Sequence, residues 1–298
     1  MKKGDTTESL LRVLLNSRYK FSHFTNAEPN INQKRVKPES KKVIIPFTFG
    51  KDSLLTYAIC RQLGYKTKLI FSEESKGLYE NPSKHKLARD FESEFKQTVE
   101  FIKNPFDQLW EKGNNAWFGW DFQLTTINLL LIPYAYAYRA SYIFFANEKS
   151  CNDYTFGDDD IRFFPDFEQN REWTREMNFI TENLTGGVTH MTTLLDSVDE
   201  LAIIRILHKL YPEIGKYQMS CFAEDHWAKG RRWCCHCSKC ARMYLFLMAW
   251  NLDPKRVGFR ENLFLKKYRH LYSAFGESKN SSSAYDSSLV GQGEQLLA

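Results

Sequence analysis

The sequence predicts an α/β protein, a doubly wound parallel sheet followed by a C-terminal helical region built around a metal. Three observations lead there. Between residues 42 and 146, short β-branched or aromatic runs alternate with stretches of helical period, the signature of βαβ units with helices on both faces. A glycine-bearing turn joins the first such run directly to the first helix. Further on, four of the seven cysteines crowd into Cys234–Cys240.

The elements follow in order. Lys42–Phe47 is a short apolar run bounded by polar residues and reads as the first strand. Ser53–Leu63 places apolar residues at helical spacing, and Gly64 ends it as a C-terminal glycine does. Lys66–Phe71 is a second strand, Lys84–Phe95 a helix and Thr98–Ile102 a third strand. Trp120–Arg139 is long and apolar enough for a buried helix, and Tyr142–Ala146 is a fourth strand. Asp199–Leu210 and Arg242–Trp250 are further helices. Four units follow: a polar lead-in over 1–41 with a short helix at Glu8–Ser17, an α/β domain over 42–210, a cysteine-bearing helical region over 211–276, and a Ser-, Gly- and Gln-rich tail over 277–298 that is expected to be disordered.

Composition narrows the function. With 298 residues, 43% hydrophobic and 26% charged, the chain is an ordinary globular protein, not collagen-like, coiled-coil or wholly disordered. Forty-one Lys plus Arg against 36 Asp plus Glu leave only +5, which argues against nucleic acid as the partner. There is no run of 18 apolar residues, so no membrane partner is expected. The start Met1-Lys2-Lys3-Gly4-Asp5 lacks the apolar stretch of a secretory signal. Clustered cysteines fit metal ligation in a reducing compartment better than a disulfide framework. A cytoplasmic protein is expected.

Thr48-Phe49-Gly50-Lys51-Asp52-Ser53 has the geometry a phosphate site needs. Free N–H groups at a helix N-terminus point outward, the helix dipole favours an anion, and glycine permits close approach. Thr48 and Ser53 add hydroxyls, Lys51 a cation, and Asp52 either caps the helix or holds Mg²⁺. A plain strand–helix turn with Asp52 or Ser53 as N-cap is the competing interpretation. Neither a Walker pattern nor dinucleotide-type glycine spacing is present.

Cys234, Cys237 and Cys240 step regularly by three residues, with Cys221 thirteen residues upstream. Four thiolates are the usual ligand set of a structural Zn²⁺, closed to water and coupled to local folding. Buried free thiols are the alternative, and Cys235 or His236 could replace one named ligand. Cys60 and Cys151 are expected to be bystanders, and Arg231 and Arg232 surface or substrate-anion contacts.

The glycine turn resembles the PP-loop of the ATP pyrophosphatase superfamily, Ser-Gly-Gly-x-Asp-Ser. Thr48 stands for the serine and Phe49 for the first glycine, while Gly50, Asp52 and Ser53 match. Phe49 is a departure that restricts the backbone and is expected to crowd a bound pyrophosphate. One branch of the superfamily adds a four-cysteine zinc site. The pattern of 7-cyano-7-deazaguanine synthase is similar to Ser220-Cys221, Cys234–Cys240, Phe164-Pro165-Asp166 and Thr193-Leu194-Leu195, a resemblance spanning roughly residues 42–250. At Asp199-Glu200-Leu201 that family has Lys-Ala-Glu, and its aromatic-Gly-Gln segment is replaced by Phe71-Ser72-Glu73-Glu74. Phe49-Gly50-Lys51-Asp52-Ser53, Asn147-Glu148-Lys149-Ser150 and Trp233–Cys240 look instead like the ATP-dependent UDP-N-acetylmuramoyl-L-alanyl-L-glutamate epimerase family.

The resemblance implies a fold of the HUP/PP-loop type and an enzyme that uses ATP and Mg²⁺ to adenylate a small-molecule carboxylate. Both relatives release pyrophosphate, and the acyl group then meets either a base, giving epimerisation, or ammonia, giving amide and nitrile. Thr48, Phe49, Gly50, Lys51, Asp52, Ser53 and Ser72 are the implied nucleotide contacts, with Lys51, Asp52 and Ser53 catalytic. Asn147 and Glu148, past the end of a central strand, and Asp166 are the implied substrate contacts. Asp158-Asp159-Asp160 offers a further Mg²⁺ position or a solvated loop, and His190 a base or a surface histidine. A retired nucleotide-binding module, a tRNA-modifying PP-loop enzyme and a homodimeric assembly are left open.

Overall fold

Val43, Ile44 and Ile45 are wholly buried in β1 (Glu39–Pro46), the middle strand of a five-stranded sheet. The computed structural model describes residues 37–74, 77–104, 122–156, 160–221, 223, 226–275, 294 and 297–298. The expected helix at Glu8–Ser17, the rest of the lead-in up to residue 36, Trp120, Asp158, Asp159 and most of the 277–298 tail lie outside the described residues.

The chain runs β1, α1 (Lys51–Gln62), β2 (Lys66–Glu73), α2 (Glu80–Phe95), β3 (Val99–Lys103), α3 (Gln123–Tyr138) and β4 (Ala140–Phe145). A short antiparallel pair follows, β5 (Thr155–Phe156) with β6 (Arg162–Phe163), then α4 (Arg171–Thr185) and β7 (His190–Thr193). After these come α5 (Glu200–Leu210), α6 (Pro212–Gly215) and α7 (Ser238–Ala249). The sheet order is β3-β2-β1-β4-β7, and each adjacent pair is parallel.

Alternation along the strands divides the core. Val43, Ile45, Leu69 and Phe144 face a large cluster with α1, α2, α5 and α7, including Leu54, Phe91, Ile203 and Phe246. Ile44, Ile70, Ile143 and Phe145 face the other way, against Leu131 and Ala135 of α3 and Trp173 and Met177 of α4. Burial on both faces explains why these strands read as continuous apolar runs.

Among the described residues the expected strands and helices are present, with ends moved by a few residues; α2 starts four residues before Lys84 and α3 three residues after Trp120. The β5–β6 pair, α4, β7 and the short α6 were not anticipated. Helix α4 carries its own signals: Asn170 Oδ1 accepts the Trp173 N–H at 2.8 Å, and Gly186 closes it in the left-handed conformation. Strand β7 is only four residues long, too brief for a periodic pattern, and is fixed by its register with Tyr142–Phe145.

This strand order creates a switch point. From β1 the chain moves outward through β2 to β3, then returns across α3 to β4 on the other flank. The carboxyl ends of β1 and β4 therefore border a crevice, the position at which open α/β sheets take ligands.

Candidate functional site

The segment Phe47–Gly50 leaves β1 at that crevice and enters α1 with Gly50 as N-cap. A glycine cap carries no side chain, so Gly50 gives α1 no side-chain cap, and the first-turn N–H of Lys51 donates instead to Ser220 Oγ at 3.4 Å. Gly50 needs its small size rather than unusual dihedrals: its φ is −68°, and a Cβ there would stand 3.1 Å from Thr48 Oγ1. The loop is internally tied. Ser53 Oγ donates to Gly50 O at 3.1 Å, and the Gly50 N–H donates to Thr48 Oγ1 at 3.3 Å.

Phe49 does not crowd this turn. Its backbone takes φ +58°, and its ring is wholly buried against Phe47 (centroids 4.8 Å apart) and Phe91 (5.8 Å). The left-handed conformation costs a non-glycine residue roughly 1–2 kcal/mol, while burying a phenylalanine side chain contributes about 1.5–3 kcal/mol. Burial offsets the strain, so a bulky residue occupies a position that glycine would suit.

Lys51 is only 4% exposed and lies among three carboxylates. Its Nζ is 2.6 Å from Asp52 Oδ1, 3.0 Å from Glu200 Oε1 and 3.7 Å from Glu148 Oε2. Glu200 also pairs with buried Arg242 at 3.4 Å. Burial opposes the Lys51 charge, but Asp52, Glu148 and Glu200 outweigh it and hold the pKa well above the usual lysine value. Glu148 moves the opposite way for a carboxyl. Desolvation raises its pKa well above the ordinary value despite Lys51, and Glu200 and Asp52 push it further. Ser150 Oγ donates to Glu148 Oε1 at 2.9 Å, whereas Oε2 accepts no hydrogen bond among the described residues.

Four segments bring these groups together: the loop after β1, the segment after β4, the start of α5, and α7. Asn147 sits beside Glu148, its Nδ2 donating to Thr174 Oγ1 at 3.3 Å and its carbonyl accepting from Thr193 Oγ1 at 2.7 Å. Ser72 lies at the carboxyl end of β2, its buried Oγ without a hydrogen-bond partner among the described residues. Asp166 is more peripheral. It accepts from Gln169 Nε2 at 2.6 Å, and Gln169 in turn accepts from the Cys151 thiol at 3.6 Å. Cys151 is buried next to Glu148 and its pKa is pushed well up, so it is an inert neighbour.

Several alternatives left open by the sequence are narrowed. His190 begins β7, at the amino end of the sheet, and bonds Glu182 at 2.6 Å on the surface, away from the crevice. Arg232 is no anion contact: its Nη1 donates to the carbonyls of Lys216 (2.5 Å) and Val257 (3.0 Å). Of the three aspartates only Asp160 is described, and it is exposed. Glu200 and Arg242 were missed as site residues. A carboxylate at a helix start and an arginine within an apolar helix look structural in sequence, and only the fold points them at Lys51.

The cysteine centre lies beside the loop. The sulfurs of Cys221, Cys234, Cys237 and Cys240 lie within 4.8 Å of one another, a set that could hold a metal ion. Cys237 is 3.4 Å from Cys240 and 3.9 Å from Cys221, and Cys234 is 3.7 Å from Cys240. Backbone N–H groups of Ala223 and Cys234 point at Cys221 Sγ, that of His236 at Cys234 Sγ and that of Cys240 at Cys237 Sγ, at 3.3–3.4 Å. The neighbouring thiols of Cys221, Cys234 and Cys240 hold the Cys237 thiol below its usual pKa. Neither spare residue belongs to the cluster. Cys235 turns its thiol to Trp233 O, burial pushing its pKa up to about 11, and the His236 ring stacks on Trp227 at 4.2 Å.

No protein-family model matches the chain, and no curated protein matches it. Among solved structures it is similar to the U34-tRNA thiolase NcsA from Methanococcus maripaludis with its [4Fe-4S] cluster, at 13% identity and a TM-score of 0.40. That match covers 58% of this chain and 58% of the thiolase. Among the described residues no helix is long and apolar enough to cross a membrane.

Proposed function

We propose that the protein is an ATP-dependent enzyme that adenylates a small-molecule carboxylate and releases pyrophosphate. The observation that carries this reading is the Gly50–Ser53 turn at the switch point of the sheet, where a glycine opens α1 without a side-chain cap of its own and Lys51 is buried among carboxylates. The residues fit a nucleotide. The close approach at Gly50 suits a phosphate, and the unpartnered Ser72 Oγ supplies a polar contact on the β2 side. Asp52, the most exposed of the Lys51-linked carboxylates at 28%, is suited to Mg²⁺, which when bound neutralises phosphate charge.

In the proposed reaction a substrate carboxylate oxygen attacks the α-phosphorus of ATP. A P–O bond forms to that oxygen and the bond to the β-phosphate oxygen breaks, so pyrophosphate leaves and an acyl-adenylate remains. The N-terminus of α1, Lys51 and the Thr48 hydroxyl stabilise charge on the departing group, while the Ser53 hydroxyl holds the loop through its bond to Gly50 O.

The more specific reading is an epimerase of the muramoyl-dipeptide glutamate type. It needs a group to remove the acidified α-proton, and Glu148 is the candidate: its Oε2 accepts no hydrogen bond among the described residues and lies 3.7 Å from Lys51 Nζ. Asn147 orients the same segment. A second reading, a deazaguanine-synthase-like ligase forming an amide or nitrile, is favoured by Ser220-Cys221, the pair that resembles that family's Ser-Cys, with Ser220 Oγ accepting the Lys51 N–H at 3.4 Å.

The cysteine cluster is proposed to hold Zn²⁺. Four zinc–sulfur bonds of about 2.3 Å in a tetrahedron give sulfur–sulfur edges of roughly 3.8 Å, close to the 3.4–3.9 Å spacings here. A [4Fe-4S] cluster would place each thiolate on a different iron and hold the sulfurs further apart.

Isotope transfer tests the adenylation. With ¹⁸O in the carboxylate of UDP-N-acetylmuramoyl-L-alanyl-L-glutamate or of 7-carboxy-7-deazaguanine, ¹⁸O-labelled AMP is expected once the adenylate is discharged. AMP formed without label would refute carboxylate attack.

A further inference from the structure

Lys84 takes no part in the chemistry proposed above, yet it is one of the most deeply buried charges in the protein. It lies on α2 at 2% exposure, and its nearest carboxylate oxygen, Glu80 Oε1 one turn back, is 3.4 Å away. Its ammonium spends its donors on two backbone carbonyls. One is Thr48 O, at the start of the glycine turn; the other is Met219 O, at 2.9 Å, two residues before the ligand Cys221. Burying a charge among carbonyls is expensive unless they fix it well, and a lysine tip with three rotatable donors can bridge two carbonyls from different segments.

Other bonds run parallel to it. The Met219 N–H donates to Phe49 O at 2.8 Å, and the Lys51 N–H donates to Ser220 Oγ at 3.4 Å. Thr48, Phe49 and Lys51 are thus each tied to Met219 or Ser220, directly or through one ammonium. From the other side, Arg242, two residues past the ligand Cys240, reaches Glu200 and through it Lys51. Every one of these ties ends next to a cysteine of the metal cluster.

We propose that Lys84 is the positioning residue of the nucleotide loop, clamping it to the metal-bearing segment so that metal occupancy and nucleotide affinity are coupled. The inference rests on the nucleotide reading given above. It assigns Lys84 no contact with substrate, and it makes the cysteine centre part of the loop's support rather than a remote structural knot.

The test uses the full chain with Lys84→Met, which keeps length and removes the donors, and Lys84→Gln, which keeps a donor. Amide hydrogen exchange is followed at 48–54 and 218–221 beside bound-metal content and Mg-ATP affinity. In Lys84→Met both segments are expected to exchange about tenfold faster or more, as fits loss of a charged hydrogen bond. Mg-ATP should bind about tenfold more weakly. Exchange in β1–β4 and the metal content should stay native, with Lys84→Gln intermediate. Native exchange at 48–54 in Lys84→Met would overturn the clamp. Should Lys84→Met fail to fold, Lys84→Gln and the native chain stripped of metal carry the test. Stripping should also speed exchange at 48–51, and an unchanged loop would overturn the coupling. Faster loop exchange in the variants with no Mg-ATP binding by the native chain would leave the clamp standing and sink the nucleotide reading instead.

Discussion

The two edges of the sheet treat charge in opposite ways. At the carboxyl edge Lys51, Lys84, Glu148, Glu200 and Arg242 are all buried. At the amino edge His190 with Glu182, and Arg139 with Glu39, form pairs that leave 36–46% of each side chain exposed. Exposed pairs contribute about 0–1 kcal/mol and need no special reason. Buried charges cost several kcal/mol each before their partners repay it, so five of them at one edge point to work other than stability. The difference sets the carboxyl edge apart as the candidate site without reference to any relative.

Asp52→Ala strikes that edge hardest. It removes the closest partner of Lys51 and should lower pyrophosphate release by roughly a hundredfold or more, with metal content and circular dichroism unchanged. Native turnover in this variant would break the assignment of the loop. Cys237→Ser should come next, losing most of the bound metal by elemental analysis and destabilising residues 218–250, an effect on the order of several kcal/mol. Full metal retention would remove Cys237 from the ligand set.

Glu148→Gln sharpens the contrast because activity and stability should part company. Turnover should fall by about a hundredfold, while the melting temperature rises, since burial disfavours the Glu148 charge in the folded state. The sign follows from proton counting. A carboxyl whose folded pKa is raised binds its proton more readily when folded, so the native chain gains stability as pH falls from the folded pKa toward the ordinary value. The glutamine variant should lack that gain; a lower melting temperature would contradict the account.

His208 gives a smaller, opposite pH effect. Burial depresses its pKa, although its Nε2 bonds Gln218 Oε1 at 2.7 Å. A depressed histidine contributes stability above its ordinary pKa near 6.5, lost as pH falls toward the folded value. Urea titrations between pH 7 and pH 5 should show that loss in the native chain and less of it in His208→Asn. Smallest of all is His190→Ala at the amino edge, for which turnover should be native and stability within about 0.5 kcal/mol.

Much of this was legible in sequence because it is local. The strands near Val43, Leu69 and Phe144 announce themselves by apolar runs, the turn by Gly50 between strand and helix, and the metal ligands by three-residue spacing. What could not be read depends on distant segments meeting. Lys84 lies 135 residues from Met219 in sequence, and neither Glu200 nor Arg242 carries a local sign that it faces Lys51. Phe49 misled for a related reason. Sequence gives its size, but only the packing of α2 and Phe91 shows where its ring goes.

The central claim is tested most directly by nucleotide product analysis of the native chain with Mg-ATP, offered UDP-N-acetylmuramoyl-L-alanyl-L-glutamate and 7-carboxy-7-deazaguanine in turn. The account predicts AMP and pyrophosphate in equal amounts, dependent on one of the two carboxylates and lost in Asp52→Ala. ADP and phosphate as products, or AMP formed equally well by Asp52→Ala, would contradict it.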